Sequence, residues 1–147
     1  MKIEELHFVS DKQVGEVILL MKELNPEIPV TPQMVRNTVE NSLTHFFVMK
    51  NNEGAFIGSA SLGVFDTPTG RKAHVEDVVV KYTYRGQGLG KKLMEHVIEY
   101  ARHKLGDVNV YLTSHPSRVE ANQLYKSLGF KQRETNVYKL EIKNAYE

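Results

Sequence analysis

A glycine-rich loop with a cation at each end is the stretch whose residue types and spacing point most directly to chemistry. Its sequence is Arg85-Gly86-Gln87-Gly88-Leu89-Gly90-Lys91, and it lies between the apolar run Val78-Val79-Val80 and a segment with helical periodicity that starts at Leu89. Glycine lets a backbone approach a ligand closely and adopt positive φ at little cost. Free N–H groups at a helix start, reinforced by the helix dipole, bind phosphate. The order strand, glycine loop, helix therefore predicts a phosphate-binding site.

The spacing of these glycines excludes two common phosphate loops. A dinucleotide motif G-x-G-x-x-G that starts at Gly86 needs a glycine at position 91, which is Lys91. A P-loop needs four residues between its glycines and Ser or Thr after the Lys, whereas three residues separate Gly86 from Gly90 and Lys92 follows Lys91. The remaining pattern is Arg-x-x-Gly-x-Gly. Because glycine-rich turns are common, a strand-to-helix turn without a ligand stays open as the alternative.

Composition narrows the function classes. The 147 residues predict one domain with a sizeable core, and 19 basic against 18 acidic residues leave almost no net field. A nucleic-acid face or a membrane anchor is therefore not expected. Cysteine is absent, which excludes disulfides and a thiolate nucleophile. The acidic amino terminus and the lack of a long apolar run predict a cytoplasmic protein.

Other chemistries fit the sequence poorly. Six histidines are present, but H-E-x-x-H is absent, and His96 and His103 lie two turns apart on a predicted helix, so no metal is expected. A hydrolase elbow G-x-S-x-G would need glycine at position 59, which is Ser59. Ordinary strand and surface residues explain these side chains better.

The first part of the chain predicts one strand and two helices. A strand over residues 3–9 precedes a helix that has Ser10 as N-cap and ends before Pro26. Thr31 is the expected N-cap of a second helix with a thin apolar stripe. A helix that buries little core often covers a substrate site, so residues 25–41 are expected to form a lid.

Alternation and turn residues predict five more strands, over residues 45–50, 55–65, 72–81, 108–113 and 137–142. One helix is expected from Leu89 to about Leu105. A further helix is expected to end at Leu128, with Gly129 as its left-handed C-cap. The strands on either side of the helix at Leu89 predict a parallel crossover. The class is α/β (α+β in some schemes).

Two segments make the pattern specific. The strand His74-Val75-Glu76-Asp77-Val78-Val79-Val80 precedes the glycine loop, and Arg118 to Phe130 contains Asn, Leu-Tyr and Gly-Phe at fixed offsets. Together with the loop they resemble the motifs of the GNAT superfamily of acyl-CoA-dependent N-acetyltransferases. The resemblance implies a mixed, mostly antiparallel central sheet of six to seven strands flanked by about four helices. It further implies a single domain over residues 1–147 and, by analogy, a homodimer.

The resemblance also assigns roles. It implies that the pantetheine arm of acetyl-CoA lies along Val78, Val79 and Val80, and that Asn122 contacts the same arm. The diphosphate would lie on the main-chain amides of the loop, formed by Arg85, Gly86, Gln87, Gly88, Leu89, Gly90 and Lys91. Tyr125 would point at the sulfur and protonate the thiolate, and Glu76, with Asp77 beside it, would accept the proton of the amine. Periodicity alone favours Tyr125 as an ordinary core aromatic, and a salt-bridged structural carboxylate stays open as the alternative for Glu76. Neighbours on a strand point to opposite faces, so at most one of Glu76 and Asp77 faces a given cleft.

The chemistry explains why such groups are needed. An alkylamine is only about one part in a thousand neutral at pH 7, so a base must assist its attack on the thioester. The predicted function is transfer of acetyl from acetyl-CoA to the primary amine of a small molecule, by direct attack in a ternary complex. A protein lysine or amino-terminal acetyltransferase and a non-catalytic acyl-CoA sensor are the alternatives. The sequence of residues 74–80 is similar to that of glucosamine-6-phosphate N-acetyltransferases, but the identity of the amine substrate stays open.

Overall fold

A mixed sheet of five strands, in which the spatial order of the strands is the same as their order in the chain, is the centre of residues 1–113. The computed structural model describes residues 1–144. The strands are β1 (Lys2–Leu6), β2 (Thr44–Lys50), β3 (Phe56–Thr67), β4 (Gly70–Val80) and β5 (Val108–Tyr111). The helices are α1 (Asp11–Leu24), α2 (Pro32–Glu40), α3 (Leu89–Lys104) and α4 (Val119–Ser127), with a 3₁₀ turn at Tyr82–Tyr84. The prediction of an α/β fold with four helices is confirmed.

Neighbouring strands are antiparallel from β1 to β4, and β5 runs parallel to β4. The parallel pair follows from α3, which carries the chain from the end of β4 back to the start of β5. A β-bulge interrupts the pairing of β3 with β4. Ser59 pairs with Val79 and Ser61 with Glu76, so three steps on β4 face two on β3.

Successive side chains of β2 point to opposite faces of the sheet, and each face carries helices. Phe46 and Val48 belong to a buried cluster with α1 and α2 residues such as Val17 and Val35. Phe47 instead packs edge-on against His96 and Tyr100 of α3, with ring centroids 5.5 and 5.1 Å apart. The sheet is therefore covered on both sides, and the four-residue run at positions 46–49 is buried throughout.

The ends of the first two helices follow the sequence signals. The Ser10 hydroxyl accepts from the Gln13 N–H, and the Gln13 side chain accepts from the Ser10 N–H, which completes the capping box at the start of α1. Thr31 accepts from the Met34 N–H at the start of α2, with Pro32 in the first turn. Both predicted helix starts are confirmed.

The second compact unit begins at Ser114 and contains α4. Gly129 follows the helix with a φ of 100°, and the N–H of Phe130 donates to the carbonyl of Tyr125 at 3.0 Å. This six-to-one bond with a left-handed glycine is a Schellman ending, as the sequence predicts. The ring of Phe130 folds back edge-on to Tyr125, 6.1 Å between centroids.

The predicted strand over residues 137–142 is wrong, and so is the expected count of six to seven strands. This segment has no regular secondary structure, and Val137, Tyr138, Leu140 and Ile142 are 74–87% exposed. Alternation of apolar and charged residues predicts a strand with one buried face, but a strand also needs hydrogen bonds to a neighbouring strand, and this segment joins no sheet. Across residues 1–144, no helix is long and apolar enough to cross a membrane.

Candidate active site

The glycine loop places a row of main-chain amides at the start of α3. Gly86 and Gly88 have φ of 79° and 73°, and Gly88 is the left-handed N-cap of the helix. The first amide to return to the regular pattern is that of Lys92, which donates to the Gly88 carbonyl at 3.2 Å. Among the described residues, the N–H groups of 86–91 have no acceptor. Six consecutive donors at a helix start suit a diphosphate, so the loop fits the coenzyme that the sequence implies.

The side chains of the loop have separate roles. Leu89 is 4% exposed and anchors the first turn of α3 in the core, so only its amide is available to a ligand. The Arg85 Nε donates to the Val80 carbonyl at 2.9 Å, and its guanidinium lies 5.6 Å from the centre of the Tyr82 ring. Lys91 faces Glu95 one turn later, at 3.9 Å. The positive charges at the two ends of the loop are therefore held by local contacts.

The end of β4 leads directly into this loop. Val79 is buried in the cluster under α1 and α2, while Val78 and Val80 are half-buried. Val80 pairs with Gly58, and a Cβ at Gly58 would lie 3.0 Å from the Val79 carbonyl, so glycine permits the close approach of the strands. Val78 lies in the bulge and has no pairing partner on β3. On the other edge of β4, pairing with β5 ends at His74, so the strand edge beside the loop is open on that side.

Both carboxylates of the motif lie at the bulge. Glu76 pairs with Ser61 across the strands, is exposed, and has no ion-pair partner among the described residues. Asp77 has a φ of 53°, a left-handed conformation that none of the other described non-glycine residues adopts. Strict alternation of faces does not hold across such a residue, so the expected opposition of Glu76 and Asp77 does not apply there. Strained backbone of this kind gathers at functional sites.

A cavity opens on the side of the sheet that α1 and α2 cover. It is lined by apolar residues of α1, α2, β2 and the connection between the helices, and by the polar residues Asn25, Thr38, Ser61 and Asp77. Glu76 is not among the lining residues. Sequence reasoning marked residues 25–41 as a cover for a substrate, and this segment does supply one wall. The contribution of α1 was missed, because its apolar stripe looks like any core-facing helix.

The two remaining predicted residues lie in the second unit. The Asn122 amide donates to the carbonyls of His115 and Arg118 at 2.9 and 2.8 Å, which ties the turn before α4 to the helix. Tyr125 is 8% exposed, and its hydroxyl has no hydrogen-bond partner among the described residues. The contacts of Asn122 and Tyr125 with a coenzyme stay predictions.

A polar cluster on the α3 face was not foreseen. His45 Nδ1 lies 2.7 Å from Glu5 Oε2 and 3.0 Å from the Tyr100 hydroxyl. Burial, and secondarily the charge of Glu5, raise the pKa of Tyr100. The three residues are far apart in the chain, so spacing could not reveal them. No group of His, Asp or Glu within residues 1–144 has the arrangement of a metal site.

Comparison with known proteins places this geometry in a family. Residues 17–130 match the model of the acetyltransferase (GNAT) family. The chain is 42% identical over 137 residues to a glucosamine 6-phosphate N-acetyltransferase of Trypanosoma brucei brucei, covering 88% of this chain and 90% of that protein. It is 39% identical over 135 residues to a thialysine N-epsilon-acetyltransferase of Mus musculus, covering 81% and 79%. A solved acetyltransferase structure from Trypanosoma brucei superposes with a TM-score of 0.76 at 27% identity, over 96% of this chain and 99% of that one. The chain is an N-acetyltransferase and belongs to the GNAT family.

Proposed function

We propose that this enzyme transfers an acetyl group from acetyl-CoA to the primary amine of a small molecule, by direct attack within a ternary complex. The observation that carries the proposal is the row of unpaired amides at residues 86–91, which follows the bulged end of β4 and its carboxylates. The relatives whose names specify small amines, glucosamine 6-phosphate and thialysine, support this choice over a protein substrate.

The loop amides bind the diphosphate of acetyl-CoA in this proposal. The dipole of the 16-residue helix α3 adds positive potential at the same point. The main chain of Val78, Val79 and Val80 holds the pantetheine arm, because the pairing of β4 with β5 ends at His74 and leaves the β5-facing edge of these residues unpaired. Asn122 contacts the same arm. Bound acetyl-CoA supplies an activated acetyl thioester beside β4.

Two side chains move protons. Glu76 takes a proton from the substrate ammonium, directly or through water, and the neutral amine then attacks the thioester carbonyl. Tyr125 donates its phenolic proton to the sulfur as the carbon–sulfur bond breaks, and the backbone N–H of Val78 stabilises the negative charge on the carbonyl oxygen. The second proton lost by the nitrogen restores the Tyr125 phenol after it has protonated the sulfur. The products are the acetamide and free coenzyme A, with no covalent enzyme intermediate.

Release of free thiol from acetyl-CoA, measured with a panel of small amines and of lysine peptides, tests the reaction. We expect turnover with a small amine, and a fall in kcat/KM of about 100-fold or more in Glu76→Gln, because a general base is lost. Glu53→Gln is the control, since Glu53 lies in an exposed turn. Higher kcat/KM on peptides would select the protein acetyltransferase, and acetyl-CoA binding without turnover would select the sensor.

The same proposal includes the molecule's setting. Residues 1–147 act as a single domain, supported by the family match across both compact units. The reaction takes place in the cytoplasm, where acetyl-CoA is available. The chain forms a homodimer through the exposed apolar segment 137–142. This segment has the alternating pattern of a strand but forms no strand within the described residues. Sedimentation as a 16.8 kDa species would contradict the dimer.

A further inference from the structure

The cavity beneath α1 and α2 has an uneven distribution of polar atoms. The oxygen of Asn25 accepts from the Glu27 N–H at 3.0 Å, and the Thr38 hydroxyl donates to the Met34 carbonyl at 2.9 Å. Both groups are therefore already used at the end of α1 and within α2. Ser61 and Asp77 are the lining residues whose side-chain oxygens have no partner among the described residues. Among the described residues, the lining side-chain oxygens without a hydrogen bond therefore lie at the bulge between β3 and β4.

The rest of the lining is apolar and comes from three elements and one loop. It comprises Val17, Met21, Leu24, Ile28, Met34 and Phe46, together with two further valines. None of the chain's 19 Lys and Arg residues lines the cavity within the described residues, and Asp77 is its one charged lining residue. Asp77 is exposed, so a phosphate group beside it would keep part of its water, but it would face a carboxylate and no cation. An ammonium group at Asp77 would find the opposite charge.

The cavity also limits the size of its occupant. Its volume is about 130 Å³, close to that of an apolar protein cavity of about 150 Å³ known to hold benzene. A body of about four to six carbons fills such a space. Each methylene moved from water into an apolar site contributes about 0.8 kcal/mol.

Resting on the proposed function, we propose that the acceptor is a primary amine with a compact apolar body, and that Asp77 determines this specificity. The ammonium lies against Asp77 and Ser61 at the bulge, beside Glu76, which pairs with Ser61 across the strands, and next to the end of β4 that holds the acetyl donor. The apolar body lies between α1 and α2. An amino-sugar phosphate is a poor substrate, although relatives are named for one.

The test is thiol release at saturating acetyl-CoA with n-alkylamines of two to ten carbons and with glucosamine 6-phosphate. We expect kcat/KM to rise two- to fourfold for each methylene up to about six carbons and then to level off. Hexylamine should exceed glucosamine 6-phosphate by 100-fold or more. A flat alkylamine series, or glucosamine 6-phosphate as the better substrate, overturns the inference while the acetyltransferase function stands.

Variants locate the effect in the cavity. Asp77→Asn removes the charge and keeps a residue that tolerates positive φ, so the amine KM should rise at least tenfold with the acetyl-CoA KM unchanged. Met34→Lys adds a cation at a lining position that is 45% exposed and should lower kcat/KM for hexylamine at least tenfold. Leu19→Lys is the matched control on α1, because Leu19 is 60% exposed and lies outside the lining. Equal effects of the two lysines would overturn the inference.

A binding measurement distinguishes failure of the proposed function from failure of the proposed amine specificity. If no amine is acetylated, the proposed function fails, and calorimetry with hexylamine and glucosamine 6-phosphate still reports the preference of the cavity. Tighter binding of hexylamine, weakened at least tenfold in Asp77→Asn, supports the inference. Tighter binding of glucosamine 6-phosphate overturns it.

Discussion

Tyr125 is the residue whose assignment is most sharply testable. Its ring packs against Phe130, and its hydroxyl has no hydrogen-bond partner in the described chain. A structural aromatic needs the ring alone, whereas an acid in the reaction needs the hydroxyl. Tyr125→Phe keeps the ring, so we expect kcat to fall about 10- to 100-fold with little change in the acetyl-CoA KM.

Steady-state kinetics checks this prediction. Tyr138→Phe is the control, because Tyr138 is in the same unit and 87% exposed, and the substitution keeps the aromatic ring of the proposed dimer segment. Unchanged kcat in Tyr125→Phe would leave Tyr125 as a core aromatic and remove it from the mechanism.

At the residue scale, sequence reasoning located the glycine loop but not the cavity that we propose as the acceptor site. Gly86 and Gly88 are recognisable in the sequence, because few other residues accept the positive φ that the turn needs. Asp77 gives no such signal, since its left-handed conformation arises from a bulge that depends on how β3 and β4 pair. The part of the cavity wall that α1 supplies could not be predicted either, because apolar periodicity does not distinguish residues that line a pocket from residues of the core.

The start of α3 is the element that carries the proposed coenzyme site. Gly88 has a φ of 73°, and a Cβ there would meet nothing within 4 Å, so Gly88→Ala is strained only by its backbone. We expect a stability loss of about 1–2 kcal/mol and at least tenfold weaker acetyl-CoA binding, because the amides of the loop shift.

Gly54 supplies a matched control for that variant. It has a φ of 83° and also meets nothing within 4 Å, but it lies in the β2–β3 turn. Gly54→Ala should cost similar stability in urea unfolding and leave the calorimetric Kd for acetyl-CoA unchanged. Equal loss of binding in both variants would show that stability, not the loop, sets the affinity.

Element order was predictable where a signal is local. Capping residues gave the starts of α1 and α2, and Gly129 gave the end of α4. The absence of a strand over residues 137–142 was not predictable, because alternation describes a strand's faces and says nothing about whether the segment pairs with another strand. The number of strands in a sheet is a tertiary property.

At the scale of the whole molecule, the near balance of charge at pH 7 means that electrostatic stabilisation there comes from particular pairs and not from a net field. One such group is Glu4 on β1, whose Oε1 pairs closely with Lys50 Nζ and whose Oε2 lies 3.3 Å from Lys2 Nζ. The hydrogen bond with Lys50, opposed by burial and helped by Lys2, lowers the pKa of Glu4 below its ordinary value of 4.5. β1 is the strand that this pair ties to β2.

The sign of the pH effect follows from that shift. A carboxylate with a lowered folded pKa adds stability that is fully present above the unfolded pKa and is lost as pH falls through the folded one. Glu4→Gln should therefore destabilise the protein by about 0.5–1 kcal/mol at pH 7, and the difference from the parent should shrink as pH falls below 4.5. Glu40→Gln is the control, because Glu40 is exposed and has no ion-pair partner in the described chain. Urea unfolding at pH 7, 5, 4 and 3 measures both variants, and a difference independent of pH would mean that Glu4 stabilises the β1–β2 edge through packing and not through its charge.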